Sequence, residues 1–516
     1  MKTYLFLVIS CFFSVDGLAQ ADADGIPEPL IGKEFNTARK SNFSGFIGVN
    51  ENTIFAIDYL ALNRKKQELK LRRIQESTLE LVDSKELFSV IKDGFYNEPN
   101  EIFYQDNTIF LFSTLSGLKV KYNLVYLEMF NSYGEKISER IVDTLGLDEK
   151  YYLTESFEKK GFLLVTHNRY NSIYEQEIGL LAINELGNTI WQKRIKSPVS
   201  LQNLTVEKIV YSTQAPIYIL CDYGFERANG GFLEDNTDLL NNKYALWGYD
   251  PAKNFLKEFD LRIKKRWING LGLAYNKANE LIISGFMNET RKQTINGVFS
   301  LIINPDLTVK SSNYYTYKKA LYQKFVEAKR VDRVEELEDI EYRDCIVMED
   351  GSYYLIGEHF YQYTERNYDP RTNITTTIEN YNYNSILVAY FDSNGKHLWT
   401  DRIPKFQHSV NDYGYYSSFS VMQSANELYF FFNDSDKNND HLVTEYFNYS
   451  SFSINRRAQI SYVVVNKNGL KSRGVFVNSK NNYMLRAKQC YQIDNSTFYL
   501  YGEEGKSRKV FSLKIK

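Results

Sequence analysis

Apolar residues in this chain come in short bursts rather than helical stripes. Ile109-Phe-Leu-Phe112, Phe162-Leu-Leu-Val165, Tyr353-Tyr-Leu-Ile356 and Leu428-Tyr-Phe-Phe-Phe432 are continuous runs, each preceded by turn residues. Runs this short read as strands buried on both faces. Aligned on Ile54, Ile109, Leu163, Tyr218, Ile282, Tyr354, Tyr429 and Phe498, the pattern occurs eight times. Several copies are followed by a second signature: an apolar strand, an Asn or Asp, a Gly three residues later, then a more polar strand. Asn131 with Gly134, Asn184 with Gly187, Asp392 with Gly395 and Asn466 with Gly469 follow this order, and Trp191 and Trp399 lie on the strand after the turn. The side-chain amide or carboxylate opens a hairpin turn and the Gly takes its left-handed position. Trp191 and Trp399 are expected to pack on the neighbouring unit.

Each unit thus reads as four antiparallel strands, A to D, with B the apolar burst and C–D the hairpin. One such unit cannot bury its own faces and must stack on copies of itself. The predicted class is all-β, most simply eight four-stranded units; seven is the alternative, because the first unit lacks a clear turn signature in residues 69–81. The last unit ends after its C strand at residues 510–516, so the stretch at 30–35 is expected to supply D and close a ring. The repeats resemble those of exported bacterial β-propeller proteins, the quinoprotein-like and WD40-like class. There an apolar strand is likewise followed by Asp, a turn Gly and Trp. The turn is one residue shorter here, and Asn304-Pro-Asp-Leu307 lacks the Gly. The resemblance implies a β-propeller over most of residues 45–516 and carries over no catalytic or cofactor-binding residue.

Insertions interrupt the repeat at 222–243, 318–343, 358–384 and 433–459. In antiparallel units B–C and D–A connections emerge on one face, so all four are expected there, where repeat proteins commonly carry binding elaborations. Residues 318–340 predict a helix, because Leu321, Phe325, Ala328, Val331, Val334, Leu337 and Ile340 recur every three or four positions. The 358–384 segment is dense in Tyr and Asn. Tyr361, Tyr363, Tyr368, Tyr381 and Tyr383, with Tyr413, Tyr415 and Tyr416 of the next D–A connection, are candidate binding-face residues. A long hairpin whose tyrosines pack on one another accounts for the same pattern.

Composition adds limits. The chain has 516 residues, 43% hydrophobic and 24% charged, with 41 Tyr, 34 Phe and only 9 Pro. A net charge of -2 gives no electrostatic case for nucleic acid. Residues 1–19 read as a signal peptide: Lys2, an apolar run over 4–15, then Gly17-Leu18-Ala19 before Gln20. A lipid-modified Cys11 is the weaker alternative. Residues 20–44 form an N-terminal segment containing the closing strand. Export places the chain in the periplasm or outside the cell, or in association with the envelope, and no later segment is long and apolar enough to span a membrane as a helix. Cys221, Cys345 and Cys490 are too few and too scattered for a disulfide framework.

Chemistry-bearing motifs are sparse. Asp434, Asp436, Asn438 and Asp440 alternate, and Glu445 falls twelfth from Asp434, which approaches a calcium-loop pattern. Asn439 stands where that loop has Gly, and a solvated turn explains the same run. His167, His359, His397, His408 and His441 show no zinc-ligand spacing. No cofactor motif occurs apart from this calcium-type run. The sequence therefore favours an exported, non-catalytic propeller binding a protein or glycan partner through one face. A propeller hydrolase or lyase acting on polysaccharide is the rival, with a structural subunit of an envelope assembly third.

Overall fold

A computed structural model describes residues 29–36, 42–50, 52–63, 66–87, 91–92, 95–117, 121–147, 149–168, 177–196, 205–222, 244–261, 263, 266–289, 294–326, 334–441, 449–452, 457–469 and 471–515. The signal segment, Cys11, the 223–243 insertion and Glu445 lie outside the described residues. Eight antiparallel sheets follow one another along the chain. Seven have the order A–B–C–D, as in Trp267–Tyr275, Leu281–Asn288, Gly297–Ile303 and Val309–Thr316 of the fifth. In the eighth, Thr497–Glu504 and Ser507–Lys514 are joined by Leu30–Ile31 and Phe35–Asn36, which pair with Ser507–Lys514. The fourth strand of the last sheet therefore comes from the other end of the chain.

The apolar bursts are the B strands, and burial explains their continuity. Each B strand feeds two cores, one per face. Tyr353 and Leu355 pack with Ile282 and Phe286 of the fifth sheet, while Tyr354 and Ile356 pack with Phe430 and Phe432 of the seventh. Ile54 and Ala56 of the first sheet pack with Tyr499, Tyr501 and Val510 of the eighth, and Phe55 and Ile57 pack with Ile109 and Leu111 of the second. A buried side chain of this size contributes about 1.5–3 kcal/mol, so alternation with polar residues is not tolerated here. The architecture resembles a β-propeller of eight blades.

The hairpin signature acts between sheets as well as within them. Asn184 Oδ1 accepts from the backbone N–H groups of Leu186 and Asn188 at 3.0 and 2.8 Å, and Asp392 Oδ1 does the same for Asn394 and Lys396. Four of these turns then receive a hydrogen bond from a side chain of the preceding D strand. Arg140 Nη1 donates to Asn188 Oδ1 at 2.7 Å, Lys257 Nζ to Leu307 O at 2.6 Å, Ser311 Oγ to Asn394 O at 2.9 Å and Trp399 Nε1 to Lys467 O at 2.8 Å. Trp191 packs into the core between the third and fourth sheets, so both tryptophans contact the neighbouring unit as expected.

The first sheet has a regular hairpin after all, formed by Lys66–Gln75 and Leu81–Glu86. Its left-handed position is held by Leu79 at φ 55°, as Leu307 holds it at φ 67° in the fifth sheet. The expected helix over 318–340 is corrected: among the described residues of that span only Lys319–Tyr322 is helical, Leu337 bridges to Ile295, and Ile340–Val347 is a strand, while 327–333 lie outside the described residues. Of the stripe, Leu321, Leu337 and Ile340 enter the core between the fifth and sixth sheets, and Phe325 and Val334 pack against it.

Candidate functional site

The 358–384 segment is not a loop. It prolongs the B and C strands of the sixth sheet to Tyr353–Asp369 and Ile374–Phe391, one continuous hairpin. Near its base a third strand, Gln407–Val410, pairs with Asn380–Tyr383. Beyond that the arm is two-stranded and solvent-exposed, with Tyr368 at 60% and Ile374 at 59% exposure.

Strand alternation divides the candidate tyrosines. Tyr361 and Tyr363 lie opposite Asn382 and Asn380 on one face, whereas Phe360 lies opposite Tyr383, and Gln362 opposite Tyr381, on the other. The Tyr361 and Tyr363 rings are near-parallel, 6.4 Å apart. Tyr381 and Tyr383 are largely buried; Tyr383 packs on Phe360, and the Lys488 ammonium sits 4.9 Å above its ring. Tyr413 is 81% exposed, 5.7 Å from Tyr381. Its φ is +56°, in a turn that also places Asn411 and Ser418 at positive φ. Bulky residues seldom adopt that conformation. Two hydrogen bonds fasten the turn to the arm, Asn411 N–H to Glu379 O at 2.9 Å and Glu379 N–H to Asn411 Oδ1 at 2.8 Å. Tyr415 and Tyr416 face away from this group: Tyr416 donates to Glu503 at 3.1 Å, and Arg486 stacks on Tyr415. Seven of the eight candidates thus form three groups, and Tyr368, opposite Thr375 further along the arm, stands apart on the face of Phe360 and Gln362.

At the arm's base lies a buried polar network that sequence reading missed. Glu358 and Lys405 are both fully buried and 2.8 Å apart. Arg343 Nε and Ser418 Oγ donate to the second Glu358 oxygen, each at 2.8 Å. Lys405 also donates to Tyr383 O and to Gln407 Oε1. Gln407 Nε2 donates to Asn433 O, and the Asn433 side chain bonds the backbone of Leu485 in the eighth sheet. The network ties the sixth, seventh and eighth sheets together through the connection that follows the sixth. Its only local signal is a carboxylate directly after an apolar burst, at Gly357-Glu358. Its partners stand far off in sequence.

Burial opposes ionisation of Glu358, but Lys405 and Arg343 outweigh it and hold its carboxyl below the ordinary range. Burial pulls the Lys405 ammonium down to about 8 against the attraction of Glu358. Desolvation, helped by Arg402 and Lys405, lowers His359 to about 4. Perturbed groups mark candidate catalytic sites. Here, however, all three Lys405 protons and both Glu358 oxygens are engaged by protein partners. Because the folded carboxyl of Glu358 ionises below its unfolded value, its stabilisation is complete above about pH 4.3 and is lost as pH falls through the lowered folded value. Thermal unfolding followed from about pH 7 to about pH 3 should fall more steeply in the wild type than in Glu358→Gln. Equal slopes would remove Glu358 from the account.

The calcium-type run is partly committed to protein contacts. Asp434, at the end of Glu427–Ser435, pairs with Arg473 and accepts from Asn438 Nδ2 at 2.7 Å. Asp436 accepts from Ser479 Oγ at 3.2 Å, Asn438 Oδ1 accepts from Ser450 N–H, and Asp440 is exposed. Among the described residues no group of three or more His, Cys, Asp or Glu is placed to hold a metal. Cys221, Cys345 and Cys490 are free thiols. No helix among the described residues is long and apolar enough to cross a membrane.

No known protein family and no curated protein matches the chain. Among solved structures it is similar to the WD40 domain of SCAP from fission yeast, at 8% identity and a TM-score of 0.40, covering 94% of this chain and 98% of that one. It is similar to the polysaccharide lyase Uly1 at 8% identity and a TM-score of 0.37, covering 94% and 100%. The β-propeller domain of the Trilobed protease from Pyrococcus furiosus matches at 7% identity and a TM-score of 0.37, covering 86% and 99%.

Proposed function

We propose that this chain is an exported, closed eight-bladed β-propeller that binds a protein or glycan partner through its elaborated face and catalyses no reaction. The observation that carries the reading is the arm: a continuous hairpin presents Tyr361, Tyr363 and Tyr368, and beside it a conformationally strained turn holds Tyr413 outward. Backbone strain persists where surrounding contacts enforce it, and it clusters at ligand clamps. The titratable groups beneath the arm support the same reading. Their hydrogen-bonding capacity goes into fixing the arm's base and the neighbouring connections, which leaves a platform rather than a free acid or base.

The test is a variant in which an Asn-Gly turn replaces residues 361–382 and joins Phe360 to Tyr383, which already face each other in the ladder. Glu358, Phe360 and Tyr383 remain, so the sixth sheet should stay folded. A deletion running from 358 to 384 would also remove the buried carboxylate and confuse loss of binding with loss of fold. Wild type and variant are compared as baits against envelope extract. Species held by the wild type should be lost from the arm-less protein; equal capture would overturn the proposal.

A further inference from the structure

We infer that one face of the arm is a sugar-binding strip, on which a neutral polysaccharide chain lies across Tyr361, Tyr363, Asn380, Asn382 and His408. The inference rests on the partner-binding reading above and names the partner's chemistry. The ladder puts Tyr361 opposite Asn382 and Tyr363 opposite Asn380, and the third strand places His408 opposite Asn382 on the same face. Tyr363 is 43% exposed. Successive positions on one face of a strand are about 7 Å apart, so the two tyrosines are spaced to meet separate rings of one extended chain.

Asn380 and Asn382 are 5% and 8% exposed, and the amide Nδ2 of each has no hydrogen-bond partner. His408 Nε2 lies 3.0 Å from Asn380 Oδ1. In the Nε2–H tautomer of His408 the imidazole donates to that oxygen and leaves the Asn380 N–H groups over. A buried donor without an acceptor is costly, and two side by side on a projecting hairpin ask for an acceptor from outside. A pyranose supplies hydroxyl oxygens to these amides and a flat C–H face to the tyrosine rings. None of the five side chains is an ammonium or guanidinium, so the strip holds no permanent cation to pair with an acidic sugar. A protein partner would normally find apolar anchors ringed by charge. The amides are shielded by their neighbours, so binding includes a rotamer change, for which the exposed Tyr363 is the side chain placed to move.

Affinity electrophoresis of the full chain in gels containing hydroxyethylcellulose, xylan, galactomannan or laminarin, with polygalacturonate as the acidic control, tests the inference. At least one neutral polymer should retard the protein, equally with and without about 0.5 M salt. Tyr363→Ala should weaken that retardation about tenfold. Asn382→Leu should weaken it too while leaving thermal stability equal or higher, since it removes an unmet donor. Retardation by no neutral polymer, by polygalacturonate alone, or unchanged in Tyr363→Ala overturns the inference, as does a clear loss of stability in Asn382→Leu. If the arm-less protein loses a protein partner while neutral polymers leave the wild type unretarded, only the sugar assignment falls. If the arm-less protein keeps every partner, the wider reading falls.

Discussion

Glu358→Ala is expected to lower the unfolding free energy by about 3–5 kcal/mol, the range for removing one member of a buried ion pair. Lys405, also fully buried, loses its counterion while keeping only the neutral acceptors Tyr383 O and Gln407 Oε1. Arg343, partly exposed, still reaches Glu341 and can turn to water. The loss has a ceiling. The Lys405 ammonium already titrates near 8, and without Glu358 it sheds its proton at neutral pH rather than stay charged in the interior. Glu358→Leu combined with Lys405→Met removes both charges and should recover most of the loss, because a well-packed apolar pair of similar volume often replaces a buried ion pair without penalty. Urea denaturation of the two variants decides it. A loss below about 1 kcal/mol for Glu358→Ala would mean that water reaches the pair.

Gly395→Val is expected to cost at least about 2 kcal/mol, from left-handed strain and from overlap together. Gly395 has φ +79°, and a Cβ there would lie 2.6 Å from Ser300 Oγ and 3.3 Å from the Tyr353 hydroxyl. Ser300 belongs to the fifth sheet, so the substitution presses one sheet off its neighbour. Gly505 provides the control: its φ is +57°, and a Cβ added there would meet nothing within 4 Å. Gly505→Val should therefore show the strain alone, about 1–2 kcal/mol. The difference between the two, read from thermal unfolding, measures the contact between sheets. If the two variants lose the same amount, the turn does not press on the preceding sheet.

The repeat was legible because its signal is local. Each B strand is a burst whose every residue is buried, and Asn184, Asp392 and their counterparts bond the backbone of their own turns. Other parts were hidden for physical reasons. Leu79 and Leu307 take the left-handed position usually given to Gly because their side chains fill buried gaps beside a neighbouring sheet; the sequence then shows a hydrophobe where a turn residue is expected. The stripe over 318–340 mimics a helix because Leu321 near its start and Leu337 and Ile340 near its end each enter the same core. At the candidate site, the tyrosines were found by density, yet their division between two faces depends on the register of a hairpin whose bulge between Glu358 and Phe360 resets the alternation. The Glu358–Lys405 pair spans 47 residues, and neither member carries a motif.

The strand supplied to the last sheet by the opposite terminus governs how the protein comes to be. Leu30 pairs with Ser512, so this stretch has no ladder partner until the chain has been made through residue 512. Contacts this remote in sequence form late and slowly. Until they form, the edge of Ser507–Lys514 and the apolar flank of the first sheet, including Ile54 and Ala56, stay open to unwanted association. The pairing of Leu30 with Ser512 is thus expected to form late, and a bulky fusion placed immediately before Leu30 should slow that step more than it weakens the finished protein.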